Sequence, residues 1–351
     1  MEPLPYLTAD LPGIGGVLRA RDDDFAVDEI PAYAPAGAGD HVFVHVEKRG
    51  HTTPAAVTAI ARALAIPERD IGVAGMKDRH AVTRQWLSLP PPVTPEQARA
   101  LVLPDIQILD AVRHGNKLRT GHVRGNRFVL RVREASPDAA ARARAILELL
   151  AAAPGAPNWY GEQRFGRDGD NAARGRDLLT GATPRGKRDR RMDRLMISAL
   201  QSELFNAWLR ARLADGYYRC ALAGDVLHKR GGGMFACTEP AVDTARMLAN
   251  ELCATGPMFG DAMRAATEGS EAATREAQIL AEAGLAPGAF HAVRAIAEGT
   301  RRDASIEVGE ATIAEEPDAV VISFTLPGGA YATAVMREIM KPPPASTPDP
   351  G

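Results

Sequence analysis

Cysteine is scarce in this sequence: Cys220, Cys237 and Cys253 are the only three in 351 residues. They form an odd set without a C-x-x-C pair, in a chain long enough to bury a core without staples, so idle thiols are expected rather than a disulfide or zinc framework. Long apolar runs are also missing. No stretch approaches the roughly 18 consecutive apolar residues of a membrane span. The opening MEPLPYLTADLPG lacks the basic start and apolar stretch of a secretory signal. A soluble, cytoplasmic protein without a membrane partner is expected. Charge of one sign is lacking too, with 42 Lys+Arg against 44 Asp+Glu and a net charge of −2. Taken over the whole chain, that balance does not point to nucleic acid.

Several familiar chemistries find no foothold. His41 and His45 share a face of one predicted strand, but no third ligand follows at a recognisable spacing, so no metal is expected. Gly13-Ile14-Gly15-Gly16 and Arg230-Gly231-Gly232-Gly233 are glycine-rich, yet match neither a P-loop nor G-x-G-x-x-G and read as turns. No G-x-S-x-G elbow starts a Ser-His-Asp triad. No cofactor is called for.

What is present is ordinary globular material, 45% apolar and 25% charged, long enough for more than one domain and fewer than three. Its charge is unevenly spread. Seven basic residues and no acidic one lie between Arg113 and Arg133, and ten basic face six acidic from Asn158 to Arg194. From Cys237 to Asp318 the balance reverses to fifteen acidic against six basic. Such an asymmetry favours a polyanion on one face, the alternative being solvated surface neutralised across the fold.

The pattern predicts a mixed α/β chain. His41–Val46 alternates as a strand, Thr53-Pro54 opens an alanine-rich helix ending before Pro67, and Ile71–Ala74 and Gln85–Leu89 are short strands. Thr94-Pro95-Glu96-Gln97 has capping-box spacing for a helix to about Leu103. Ile106–Val112 and Arg127–Val132 read as strands, followed by a helix from Ser136-Pro137 and a proline- and glycine-broken hinge at 151–157. Helices are then expected over Arg194–Ala214, Val242–Ala254, Glu271–Ala283 and Pro287–Glu298, with strands returning at Ala319–Leu326 and Tyr331–Met336. The return to strand suggests a helical middle inserted into a sheet built from both ends. Lys341–Gly351 is proline-rich and reads as a disordered tail.

One turn stands out for chemistry. Gly75-Met76-Lys77-Asp78-Arg79 sets a single carboxylate between two cations, between two predicted strands where active-site side chains are commonly presented. Cationic neighbours favour the ionised form, which would serve as nucleophile or base, whereas a plain turn aspartate would cap backbone N–H groups. Polar and aromatic groups fall together in DFAVDE (24–29), RGNRF (124–128), NWYGEQRFG (158–166) and LPGGAYAT (326–333), with arginine among them in the second and third. Flipped or single-stranded RNA bases need that combination of stacking face, edge hydrogen bond and phosphate neutralisation.

Together the blocks GVLRARDDDFAVDEI, HVEKRGHTT, AGMKDRHAVTRQW, GHVRGNRF, PNWYGEQRFGRDGDN and LPGGAYATAVMRE, which run in order from Gly16 to Glu338, resemble the TruD family of tRNA pseudouridine synthases. The resemblance implies an α+β fold, with a mixed, mainly antiparallel sheet in a discontinuous catalytic domain (1–155 and 306–340). A mostly helical α/β insertion (156–305) and the tail (341–351) complete it. It implies a cofactor-free isomerisation of uridine to pseudouridine, at uridine 13 of glutamate tRNA in bacterial members, by a monomer. The nucleophilic aspartate falls on Asp78, and the substrate-contacting residues on Phe25, Asn126, Phe128 and Tyr331. Arg19 stands where relatives often carry lysine, and Asp22-Asp23-Asp24 where many read P-E-D before the phenylalanine.

Such chemistry breaks the bond between C1′ and N1, turns the base and joins C5 to C1′. An ionised aspartate can attack C1′ or remove the 2′ proton, and both routes remain open. Phe128 and Tyr331 are candidates to sandwich the uracil, Asn126 to read its edge or bind the neighbouring backbone, and the C5 proton to leave through water or Asp78. The RNA is expected in a cleft lined by the arginines of 113–133 and 164–194. An RNA-binding or chaperoning module of the same fold, and a hydrolase of nucleoside glycosidic bonds, are the competing readings.

Overall fold

The computed structural model describes residues 3–182 and 189–341. The expected tail therefore lies outside the described residues apart from Lys341, as do Arg185, Lys187 and Arg188 of the second basic stretch. In chain order the elements begin β1 (Val17–Leu18), β2 (Phe25–Pro31), β3 (His41–Arg49), α1 (Thr53–Leu64), β4 (Gly72–Val73), β5 (Val82–Leu89), α2 (Pro95–Arg99), β6 (Ile106–His114), β7 (Val123–Arg133) and α3 (Ala139–Ala151). They continue with β8 (Ala156–Pro157), α4 (Asn171–Thr180), α5 (Arg190–Ala214), β9 (Val226–Lys229), β10 (Met234–Ala236), α6 (Pro240–Leu248), β11 (Leu252–Met258) and α7 (Glu271–Glu282). The last are β12 (Thr300–Asp303), β13 (Ser305–Ile306), β14 (Gly309–Glu316), β15 (Ala319–Pro327) and α8 (Ala332–Met340). The chain divides into two units, one of Leu11–Glu148, Val308–Ala332 and Ile339–Gly351, the other of Met1–Asp10, Leu149–Glu307 and Thr333–Glu338.

The first unit is built on a nine-stranded sheet in the order β14-β15-β7-β2-β5-β3-β6, with β1 added to β7 and β4 to β5. Every pairing is antiparallel except β2 with β5. Alternation in β3 turns Val42, Val44 and Val46 inward, where they meet Leu87 and Leu89 of β5 and the apolar face of α1, Ala56, Val57, Ile60 and Ala61. Helix α1 is capped by Thr52, whose hydroxyl accepts from the Ala55 N–H at 3.2 Å, one residue earlier than the sequence suggested. That shift leaves the Thr53 hydroxyl free for another partner. The expected capping box at Thr94 and Gln97 is present, although α2 ends at Arg99 rather than near Leu103.

The second unit pairs β10-β9-β11-β12 into an antiparallel sheet. Against β11 lies the buried face of α5, and a Cβ on Gly256 would fall 2.4 Å from the Trp208 ring, so only glycine allows that approach.

Three expected elements are corrected. Val242–Ala254 is not one helix: α6 stops at Leu248, Asn250 takes a left-handed φ of 60°, and the chain turns into the wholly buried strand β11. Pro287–Glu298 holds only a short 3₁₀ turn at Ala289–Val293, entered through Gly288 at φ 77°. Tyr331–Met336 is not a strand, because Ala332–Met340 is the helix α8. The alternation in YATAVM was too short to distinguish a strand from a helix buried on several sides, as α8 is through Ala332, Ala334, Val335, Met336 and Ile339.

Candidate active site

Strand register sets out the site before any side chain is considered. Phe25, Val27 and Glu29 on β2 stand opposite Leu130, Phe128 and Asn126 on β7. Phe128 and Asn126 in turn stand opposite Phe324 and Leu326 on β15. Period-2 alternation puts all of these on one sheet face. The same face continues through Thr83 and Gln85 of β5 to Lys48 and Val46 of β3, which pair with them.

Over this face runs the loop 74–81 that joins β4 to β5 and carries Asp78. Its backbone is held at several atoms. The Lys77 N–H donates to the Thr53 hydroxyl at 2.9 Å, and that hydroxyl donates to Gln85 Oε1 at 2.8 Å. Gln85 Nε2 donates to the Gly75 carbonyl at 3.4 Å, and Lys48 Nζ to the Asp78 carbonyl at 3.0 Å. Lys77 Nζ pairs with Glu29 Oε2 at 2.6 Å, the two side chains being 6% and 0% exposed. Glu29 Oε1 also accepts from the Trp86 N–H at 3.1 Å. Glu29, Lys48, Thr53 and Gln85 were not among the site residues expected from sequence. Lys48 did leave a signal there, being in phase with the inward valines at 42, 44 and 46.

So anchored, the loop turns the Asp78 carboxylate outward, 63% exposed, where its Oδ2 accepts from Arg19 Nη2 at 2.7 Å. The same guanidinium lies 3.8 Å from the centroid of the Phe25 ring, a cation–π stack that fixes its plane. Phe25 meets Phe128 edge-on at 6.3 Å, and Phe128 meets Phe324 at 5.6 Å. Phe25 and Phe128 are themselves deeply buried, 2% and 6% exposed. The three aspartates before Phe25 form a 3₁₀ turn in which Asp24 is buried. Its carboxylate accepts from Arg133 Nη2 at 2.7 Å and from the Arg21 N–H at 2.9 Å. The Arg133 hydrogen bond holds the Asp24 carboxyl below its usual range despite burial.

Asn126 is half-buried beside this aromatic row, and its Oδ1 is enclosed with no donor among the described residues. Tyr331, also half-buried, follows the turn that closes β15, where the Ala330 N–H donates to the Pro327 carbonyl at 3.2 Å. Arg19, Asp78, Phe25 and Phe128 thus form one chain of contacts with Asn126 at its side. Among the described residues Tyr331 takes no part in its ring stacks or ion pairs.

The basic stretch is less bare than its composition suggests. Arg131 makes a bidentate pair with Glu316 at 2.9 and 3.0 Å, Arg127 lies 3.5 Å from Glu310, and Arg133 bonds Asp318 as well as Asp24. The β7-β15-β14 pairing therefore brings part of the acidic later third onto part of the basic middle. Arg119 and Arg124 stay exposed. In the second unit Arg174 and Arg176 pair with Asp170 and Glu203, while Arg167, Arg191 and Arg194 are exposed.

Among the described residues no three His, Cys, Asp or Glu side chains converge as metal ligands, and no helix is long and apolar enough to cross a membrane. Cys237 and Cys253 are buried free thiols and Cys220 is a half-buried one.

Comparison with known proteins matches this arrangement to one class. The fold superposes with a TM-score of 0.79 on the crystal structure of a Methanosarcina mazei protein described as a candidate tRNA pseudouridine synthase D (TruD). That likeness covers 96% of each chain at 22% identity and shows the fold, an α+β architecture with mainly antiparallel sheets. A protein-family model described as tRNA pseudouridine synthase D (TruD) matches residues 3–184 and 186–339. The chain is 51% identical over 348 residues to the tRNA pseudouridine synthase D of Anaeromyxobacter dehalogenans (strain 2CP-C), covering 97% of each. It is 41% identical over 343 residues to that of Thermus thermophilus, covering 97% of this chain and 93% of the other. The class is that of the pseudouridine synthases. Within it, this chain belongs to the TruD family.

Proposed function

We propose that this chain isomerises a uridine of tRNA to pseudouridine, with Asp78 acting on the ribose, and that the target is uridine 13 of glutamate tRNA. The observation that carries this reading is the Asp78 carboxylate itself: outward-facing, paired to Arg19, and mounted on a loop whose backbone is tied down on both sides of it. Held in that way, a reacting group gives up little orientational freedom in reaching the transition state.

In this reading the target nucleotide leaves its stack, at a cost of a few kcal/mol, and presents C1′ and C2′ to Asp78. The carboxylate either attacks C1′ or removes the 2′ proton, and the C1′–N1 bond breaks. The uracil turns and C5 joins C1′, displacing the carboxylate in the first route or with the proton returned to C2′ in the second, and the C5 proton passes to water directly or through Asp78. The enclosed, unpaired Asn126 Oδ1 suits the uracil N3–H, a donor that cytosine lacks at that position. Phe128 and Tyr331 are the proposed faces for the base. Phe128 has little exposed edge in the free protein, so the base reaches it only as neighbouring side chains part. Exposed Arg119 and Arg124 are the proposed phosphate contacts.

Residues 1–155 and 306–340 would then be the catalytic domain of a monomer, and 156–305 the insertion. The divisions at Glu148/Leu149 and Glu307/Val308 support those two boundaries, whereas Met1–Asp10 and Thr333–Glu338 group with 149–307.

Pseudouridine has the mass of uridine, so the test is release of tritium from C5-labelled uridine in tRNA, with carbodiimide mapping of the modified position. Wild-type protein is expected to release tritium and Asp78→Asn to release none. Wild-type binding without release would favour an RNA-binding module, and free uracil among the products a hydrolase. Either result overturns the proposal.

A further inference from the structure

Lys48 is 1% exposed, on the same face of β3 as the core valines, yet it carries an amine. Among the described residues it belongs to no ion pair. Its Nζ instead donates to two backbone carbonyls, those of His51 at 2.5 Å and Asp78 at 3.0 Å. These carbonyls belong to two different segments, His51 just before the cap of α1 and Asp78 on the loop over the sheet. Burying an ammonium without a carboxylate is costly, and a methionine or leucine would fill the same space at lower cost. A lysine in that place calls for a reason beyond packing.

The surroundings identify which groups act on it. Asp78 attracts the ammonium and Lys77 repels it. Its cross-strand partners are uncharged, Thr83 on β5 and Ile106 on β6. His51 presents its carbonyl, and the adjoining Thr52 and Thr53 carry no charge. The amine faces backbone and lies too deep to meet a nucleotide, so any effect on the reaction must pass through Asp78.

We propose that Lys48 is a positioning residue for Asp78: its buried ammonium ties the Asp78 carbonyl to that of His51 and so holds the carboxylate in its working position. The inference rests on Asp78 being the catalytic carboxylate. Charge matters to the clamp, because hydrogen bonds from a charged donor are roughly twice as strong as those from a neutral one. Burial pushes the Lys48 amine down to about 8, so the clamp weakens as pH rises through that value.

Single-turnover tritium release by the full chain, followed from about pH 6.5 to about pH 9.5, tests the idea with Lys48→Met and Asp78→Asn alongside wild type. Lys48→Met is expected to be at least about tenfold slower at pH 7, with tRNA affinity within about twofold. The ratio of wild-type to variant rates should shrink as pH passes about 8, a comparison from which ionisation of the RNA cancels. Should Lys48→Met fail to fold, Lys48→Arg replaces it. That guanidinium stays charged throughout, so the wild-type rate should fall relative to it across the same range. A pH-independent ratio, an unchanged rate at pH 7, or a rate loss matched by lost tRNA binding overturns the inference. Asp78→Asn separates the two failures. An active Asp78→Asn sinks the catalytic reading itself, whereas an inactive one beside a fully active Lys48→Met sinks only the role of Lys48.

Discussion

Arg19 donates to Asp78 at 2.7 Å across 59 residues of sequence, and it does so from a guanidinium already stacked on Phe25. The stack and the ion pair share one planar group, so neither can be replaced without disturbing the other. Arginine is also in a left-handed conformation here, at φ 63°.

Replacing Arg19 therefore affects chemistry more than folding. The pair is solvent-facing and contributes no more than about 1 kcal/mol to stability. Arg19→Ala is expected to leave the melting temperature within a few degrees of wild type while slowing tritium release about tenfold or more. Arg19→Lys keeps the charge and loses the planar stack, and should fall between the two. Paired thermal melts and single-turnover rates check this.

The pair Glu29–Lys77 behaves in the opposite way. Solvent is excluded from both side chains, so removing one partner leaves a buried charge unpaired, at about 3–5 kcal/mol. Glu29→Gln should lower the urea midpoint by a corresponding amount. Glu29→Leu with Lys77→Met should restore much of the stability without restoring activity, since the anchor of the loop is gone.

Asn126 and Phe128 are two residues apart on one strand and should separate cleanly. The Asn126 Oδ1 has no donor among the described residues to lose, so Asn126→Ala should cost under about 1 kcal/mol of stability while reducing turnover about tenfold to a hundredfold. Phe128 is packed between Phe25 and Phe324, so Phe128→Ala should destabilise by about 3–5 kcal/mol. Denaturant titration beside tritium release distinguishes a residue kept for substrate from one the core also requires.

Lys48 makes a linkage prediction whose sign is opposite to that of its activity effect. Its amine is lowered on folding from 10.5 to about 8, so between those values the unfolded chain binds more protons and stability rises with pH. Relative to Lys48→Met, wild type should gain up to about 3 kcal/mol between pH 7 and pH 10.5. Denaturant unfolding at the two pH values measures it. Loss of activity over a range where the fold gains stability cannot come from unfolding.

Much of the fold was legible because several elements are specified locally. The Thr94–Gln97 capping box, the alanine-rich α1 and the alternating valines of β3 each state their structure within a few residues. Two of the three segments misread were those where a local pattern competes with extensive burial. β11 is wholly buried and so carries no alternation, and α8 begins Ala-Thr-Ala, an alternation too short to mark a strand.

At the site, the sequence by itself determined the parts and their order: one carboxylate between two cations at Asp78, the aromatics at 25, 128 and 331, and the motifs that define the family. Only tertiary structure decided how those parts meet. Strand register, which no local residue pattern states, sets Glu29 beside Asn126 and Val27 beside Phe128. It also brings Glu310, Glu316 and Asp318 onto arginines that looked unopposed along the chain. The anchors of the Asp78 loop come from β2, β3 and α1, segments distant in sequence, as well as from the adjoining β5. Hydrogen bonds and ion pairs depend on distances of about 3 Å, and the order of residues alone does not contain such distances until the sheet has closed.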